Sequence, residues 1–266
     1  MTAASQSSLA AAPRAMPPLL ALETSGGSLG VAVRAESGLL FEENVTAGAI
    51  HGKALAPLIL KALAEARLKP SELGATAVSL GPGSWTGLRI GISAAKALAW
   101  GGGLTLVGVP SFEALALDAA RRAPGHARLL LRNARSEGFF LALFSETLSP
   151  PQRWIEESVL RPEAVAGAVE QTLRAHGGVP LAVCGDQVCL EALAGAAQKN
   201  GWLIIDDCQH VSAGAVAECG WQRFAGGEGL KSAAAIHKLA PLYLRASDPE
   251  LKLARREPAP QGAHPV

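Results

Sequence analysis

The chain has 266 residues, of which 49% are hydrophobic, with 24 Lys and Arg against 23 Asp and Glu. This length suggests one large domain or two modest ones, and the hydrophobic content is enough to fill a core. A net charge of +1 excludes a protein that binds polyanions over its whole surface. Four cysteines without a CxxC pair indicate free thiols in a reducing cytoplasm, and no apolar run reaches the roughly 18 residues of a membrane span.

The same order of strands and helices occurs twice along the chain. Hydrophobic periodicity predicts strands at 19–24, 29–34 and 39–45, a helix at 51–68, a strand at 75–80, a helix at 88–100 and a strand at 104–109. After a third helix opened by Pro110-Ser111, a similar set follows between 128 and 225. The repeat predicts two α/β lobes of similar topology.

The ends of the chain differ in composition from the rest. We expect a disordered N-terminal extension at 1–18, lobes at 19–110 and 111–247, and a flexible, proline-rich C-terminal tail at 248–266.

The segment LGPGSWTGLRIGISAAKALA, residues 80–99, is the most unusual stretch of the sequence. It fails the Walker pattern, because Leu88 and Arg89 stand where Lys and a hydroxyl are needed, and Thr86 breaks the GxGxxG pattern. A tight structural turn is therefore favoured over a nucleotide-binding loop.

The helix that follows this turn carries a small residue at every fourth position. These residues are Gly87, Gly91, Ala95 and Ala99, which share one face. Glycine within a helix costs about 1 kcal/mol relative to alanine, so a close neighbour must compensate. From the residues alone, a neighbour within the chain, such as the 51–68 helix, is favoured over a partner chain.

Other candidate sites are weaker. Glu23-Thr24-Ser25 forms a turn where two-lobed phosphotransferases place an acidic residue and a hydroxyl beside phosphates, although a self-satisfied turn explains it equally well. His51 has Leu55 one turn on, and no two histidines are four residues apart, so no helical metal pair is predicted. Arginines between 121 and 135 are interpreted as a solvated surface, with a direct RNA contact as the alternative.

These residues together resemble the TsaB (YeaZ) family. The resemblance rests on LALETSGGSLGVAV, the helix begun by His51, AVSLGPGSWTGLRIGISAAKALA, GVPSFEALA and LYLR at 242–245, and it is close over residues 19–117. The chain departs from the family pattern at Glu23 and at Asn133, where Asp is usual, and at Trp85, where Phe is usual.

The resemblance implies a two-lobed actin-like fold (ASKHA, ribonuclease H-like), each lobe a mixed sheet with flanking helices. It also implies a partner subunit without catalytic residues, cofactor or metal of its own in the synthesis of tRNA N6-threonylcarbamoyladenosine. Its partners would be a TsaD-like transferase subunit and a TsaE-like ATPase subunit, with tRNA bound indirectly and homodimer formation when isolated. The family pairs through its first two helices, here 51–68 and 88–100. The expected interface residues are Leu55, Leu58, Gly87, Arg89, Ile90, Gly91, Ala94 and Ala95.

The main alternative is an enzyme, either an actin-like ATP-dependent phosphotransferase or a glycoprotease-like metallopeptidase. The first would use the Glu23 turn and the glycine-rich loop, and the second would need paired histidines.

Overall fold

The computed structural model describes residues 16–46, 51–147 and 152–244. The predicted C-terminal tail and most of the predicted N-terminal extension lie outside these residues. Residues 16–18 are packed on the first lobe, since the Gly74 amide donates a 2.8 Å hydrogen bond to the Pro18 carbonyl.

The first lobe contains a five-stranded mixed sheet. Its strands are β1 Leu19–Glu23, β2 Ser28–Ala35, β3 Gly38–Thr46, β4 Ala75–Ser79 and β5 Thr105–Val109, in the order β3-β2-β1-β4-β5. The first three strands pair antiparallel as a meander, and β4 and β5 run parallel to β1. Every residue of β1 and β4 is buried, because helices cover both faces of the sheet.

The second lobe repeats this topology. Its strands are β6 Ala127–Asn133, β7 Phe139–Phe144, β8 Arg153–Leu160, β9 Leu181–Gly185 and β10 Leu203–Ile204, in the order β10-β9-β6-β7-β8. Here too the first three strands, β6, β7 and β8, pair antiparallel, and β9 and β10 run parallel to β6. The predicted fold class, a two-lobed actin-like architecture of mixed sheets with flanking helices, is confirmed.

Seven α-helices surround the sheets in the described part of the chain. They are α1 His51–Glu65, α2 Trp85–Gly102, α3 Ser111–Arg122, α4 Pro162–Ala175, α5 Gln187–Asn200, α6 Ala213–Ala225 and α7 Ala233–Lys238. α1 and α2 cover one face of the first sheet, and α4 and α5 cover the outer face of the second.

Helix α6 does not pack where the predicted division of the chain would place it. Although it follows β10 in sequence, it lies on β1, β2, β4 and β5 of the first sheet. Together with α3 it forms one apolar core that includes Leu19 of the first lobe and Phe144 of the second. The chain therefore crosses to the second lobe through α3 and returns through α6.

Helix α2 starts three residues before the predicted Leu88. Ser84 caps it, because the Ser84 Oγ accepts a 3.2 Å hydrogen bond from the Gly87 amide. The helix ends at Gly103, whose φ of 64° lies in the left-handed region that glycine adopts without strain.

Three glycines let the start of α2 lie directly against the turn after β1. A methyl group on Gly83 would lie 2.1 Å from the Ser25 carbonyl oxygen, and one on Gly87 would lie 2.1 Å from the Thr24 carbonyl oxygen. A methyl group on Gly91 would lie 2.1 Å from Thr24 Oγ1. Close packing within the chain therefore explains the small residues, and the neighbour is the β1 turn rather than another helix.

We predict that Gly91→Ala destabilises the protein. Overpacking costs about 1–3 kcal/mol and the gain in helix propensity returns about 1 kcal/mol, so the free energy of unfolding should fall by up to about 2 kcal/mol in urea denaturation. Gly101→Ala in the same helix is the control, because no atom lies within 4 Å of its added methyl group. That variant should be neutral or more stable. Equal effects of the two substitutions would contradict the assigned packing.

Candidate functional site

The structure divides the eight expected interface residues into a buried set and an accessible set. Five are buried inside the first lobe: Leu55, Leu58, Gly87, Gly91 and Ala95. Ile90 and Ala94 are half-buried, and Arg89 is exposed. The buried set supports the lobe itself, so only the last three lie where a partner can reach them.

The outward side of α1 and α2 carries apolar residues that the prediction omitted. Leu60 of α1 is 68% exposed and Trp100 of α2 is 77% exposed. Ala56 and Ala97 on the same side are also exposed, and Ile90 and Ala94 are half-buried. We call this surface the two-helix face, comprising Ala56, Leu60, Ile90, Ala94, Ala97 and Trp100.

The two helices present this face side by side. Each connects parallel strands of one sheet, β3 to β4 and β4 to β5, so α1 and α2 run in the same direction. Gly52 lies beside Ile90, since a methyl group on it would be 3.9 Å from Ile90 Cδ1. At a rise of 1.5 Å per residue, Leu60 lies about 12 Å beyond Gly52 along the axis of α1, and Trp100 lies about 15 Å beyond Ile90 along the axis of α2. The two large side chains are therefore at nearly the same height.

An aromatic cluster lies at the start of α2. The rings of Trp85 and Tyr243 stack with centroids 4.0 Å apart, and the Arg89 guanidinium lies 4.4 Å from the Trp85 centroid. Arg89 Nε also donates a 3.1 Å hydrogen bond to the Tyr243 hydroxyl. The Leu242 amide donates to the Leu80 carbonyl at 2.8 Å, which fixes this C-terminal segment beside the glycine-rich loop.

The signal for the missed residues was present in the sequence. Leu60 lies off the helical stripe formed by Leu55, Ile59 and Ala62, and Trp100 lies off the small-residue stripe of α2. Large apolar residues that lie together outside the buried stripes of two neighbouring helices favour a surface that is used for binding, whereas single ones do not. The contact of Tyr243 had no such signal, because it joins residues more than 150 positions apart.

The cleft between the lobes contains a buried acidic turn. Glu23 is fully buried, and its Oε1 accepts hydrogen bonds from the Ser25 amide at 2.5 Å and the Ser25 hydroxyl at 2.6 Å. Burial raises the pKa of Glu23 above its ordinary value, and the hydrogen bonds from Ser25 and the charge of Arg132 offset only part of this rise.

The glycine-rich loop is not an open anion cradle. The Ser84 amide donates to the Ser25 carbonyl at 2.7 Å, and the Gly87 amide is occupied by the Ser84 hydroxyl. Two of the amides that a bound phosphate would use are thus bonded within the chain. The loop is a structural turn, in agreement with the prediction.

The structure also tests the remaining candidates from the sequence, which are a metal site, a membrane span and the arginines between 121 and 135. Among the described residues, no group of three or more His, Cys, Asp or Glu side chains is arranged to hold a metal ion. Within the same part of the chain, no helix is long and apolar enough to cross a membrane. The interpretation of the arginines between 121 and 135 as a solvated surface is wrong for Arg128 and Arg132, which are buried. Arg121 and Arg122 pair with Asp118 and Asp207, so these four arginines do not form one open basic surface.

Comparisons with known proteins identify the family. The model of the family "TsaD: tRNA N6-adenosine threonylcarbamoyltransferase" matches residues 45–183, about half of the chain. The chain belongs to this family. Within it, the resemblance to TsaB (YeaZ) is confirmed by relatives that carry this name.

TsaB of Bacillus subtilis is 35% identical over 100 residues, which cover 38% of this chain and 44% of that protein. TsaB of Escherichia coli is 30% identical over 122 residues, covering 46% and 53%. The matched region thus spans about half the length of these relatives.

Two solved structures from Pseudomonas aeruginosa, YeaZ and a protein similar to the peptidase YeaZ, have TM-scores of 0.68 and 0.71 at 22% and 23% identity. Each alignment covers 86% of this chain and 100% of the solved chain, which shows that the fold is shared.

We predict that Glu23→Gln changes how stability depends on pH. A carboxyl group with a raised pKa in the folded state stabilises the protein in acid, and this contribution is lost as the pH rises through the folded-state pKa. Glutamine does not titrate and keeps an oxygen for the Ser25 hydrogen bonds. The free energy of unfolding of the variant minus that of the wild type should therefore increase between pH 4 and pH 8. A difference that stays constant or decreases over this range would contradict the assigned direction.

Proposed function

We propose that the chain is a non-catalytic partner subunit in tRNA N6-threonylcarbamoyladenosine synthesis, which binds and supports a TsaD-like transferase subunit through the two-helix face. The observation that carries the proposal is this face itself, with Leu60 and Trp100 exposed at the same height. Family membership supplies the process, because relatives of this chain are named as tRNA threonylcarbamoyladenosine biosynthesis proteins.

The chemistry of the face supports a protein partner. Alanines at 56, 94 and 97 let another helix approach closely, and the two large apolar residues supply area to bury. The partner is expected to be homologous, since the matched family model describes the transferase. A homologous surface also allows the isolated chain to pair with itself.

The internal bonding of the cleft favours this proposal over the enzyme alternatives. A phosphotransferase needs free amides at the phosphate loop, whereas those of Ser84 and Gly87 are occupied. A metallopeptidase needs a ligand set, which the described residues do not contain. In the proposed complex, a TsaE-like ATPase subunit joins the pair and tRNA is held through the transferase.

The test is co-expression with the TsaD-like subunit of the same organism. We expect Leu60→Glu and Trp100→Glu each to weaken the complex by tenfold or more, in line with about 2 kcal/mol for a hot-spot residue. Complex formation is measured by size-exclusion chromatography and its affinity by isothermal titration. Both residues are exposed, so the circular dichroism and melting temperature should remain those of the wild type.

Val188→Glu is the matched control, because Val188 is an equally apolar exposed residue on α5 of the second lobe. It should leave the complex intact. Unchanged binding by both face variants would refute the assignment of the surface. Gly91 is unsuitable for this test because its substitution strains the fold.

A further inference from the structure

Arg132 of the second lobe reaches into the acidic turn of the first. It lies on β6 with only 4% of its side chain exposed, and its guanidinium packs against Gly26 in the turn after β1. A methyl group on Gly26 would lie 3.0 Å from Arg132 Nη1. This is a direct contact between the lobes at the cleft, on side chains that neither the fold core nor the two-helix face uses.

The guanidinium is fixed from its own lobe. Arg132 Nη1 donates a 3.2 Å hydrogen bond to Asp186 Oδ1, and the amide of Asn133 donates to Asp186 Oδ2 at 2.8 Å. Asp186 follows β9 directly, so two adjacent strands position the arginine. Because the anchor is rigid, the orientation of Arg132 reports the orientation of the second lobe.

The first lobe supplies the matching charge. The positive charge of Arg132 acts on the fully buried carboxylate of Glu23. His210, on the loop that leads back to α6, lies beside Gly27, and burial together with the positive charge of Arg132 lowers the pKa of its imidazole. Arg132 Nη2 and Nε and Glu23 Oε2 have no hydrogen-bond partner among the described residues, so ionic attraction rather than a saturated network links the two sides.

We propose that Arg132 is an interlobe latch, a built-in cation that lies over the Glu23 turn and holds the two lobes in one relative orientation. The acidic residue that a phosphotransferase of this architecture would place beside its phosphates here lies near a cation supplied by the protein itself. Leu130 and Ala134, which flank Arg132 on the same face of β6, belong to the shared α3 and α6 core, so the latch lies at the edge of that core. The role proposed for Arg132 does not depend on whether the chain binds the proposed partner.

The test measures the distance between the lobes in the full chain. Nitroxide labels are attached to cysteines introduced at Ala64 of α1 and Gly195 of α5, which are both exposed. A parent without these cysteines controls for labelling of the native thiols. We expect a narrow distance distribution in the wild type and a broader or shifted one in Arg132→Met. Amide exchange in residues 25–28 should accelerate about tenfold.

Arg128→Met is the matched control. Arg128 lies on the same strand and is also buried, but its guanidinium donates to the Ser145 and Thr147 carbonyls within the second lobe. Its loss should lower the melting temperature and leave the interlobe distance unchanged. Should Arg132→Met fail to fold, Gly26→Ala replaces it, because the added methyl group displaces the guanidinium while every charge is kept.

Three results would overturn the latch. The first is an unchanged distance distribution in a folded Arg132→Met or, where that variant does not fold, in Gly26→Ala. The second is an equal broadening in Arg128→Met, which would indicate general loosening. The third is tight binding of magnesium and ATP by the wild type in isothermal titration, since the turn would then accept an external cation.

Discussion

The contact between the turn after β1 and the start of α2 is the constraint on which the rest of the structure depends. Backbone meets backbone there, so Gly83 and Gly87 admit no side chain. The contact draws α2 down onto the sheet, so that Leu88 and Ile92 are buried and Trp100 lies outward. It also occupies the Ser84 amide, one of the donors that a phosphate at the start of this helix would use.

The two lobes are joined in two chemically different ways. Along α3 and α6 they share an apolar core, which is non-directional and tolerates small sliding movements. At the cleft they meet through Arg132 and the Glu23 turn, where charge and the planar guanidinium impose a direction. The proposed latch thus adds a directional contact at the edge of the apolar core, where Leu130 and Ala134 flank Arg132 on β6.

Local patterns predicted most of the elements but not how they assemble. The meander, the order of strands and helices and the division into two α/β lobes followed from hydrophobic periodicity and turn residues, whereas the actin-like fold class followed from the family resemblance. The return of α6 to the first sheet was not predictable, because an apolar stripe shows which side of a helix is buried but not which sheet covers it. For the same reason the small-residue stripe of α2 was ambiguous: glycine shows that something lies close, but not what. Long-range pairs such as Arg89 with Tyr243 or Arg132 with Asp186 have no local signature.

The residues on the outside of α2 are the ones its own fold does not need. Trp100 is 77% exposed and contributes little to the stability of the lobe. A tryptophan buries about 150–250 Å² when fully covered, so covering the exposed part of Trp100 yields roughly 3–5 kcal/mol at ~25 cal/mol per Å², before the entropy cost of association. The inner face of the helix, by contrast, is fixed by glycines that the β1 turn requires. Substitutions on the outer side of α2 can therefore change binding at the proposed two-helix face without disturbing the lobe, whereas substitutions on its inner side act on the fold first.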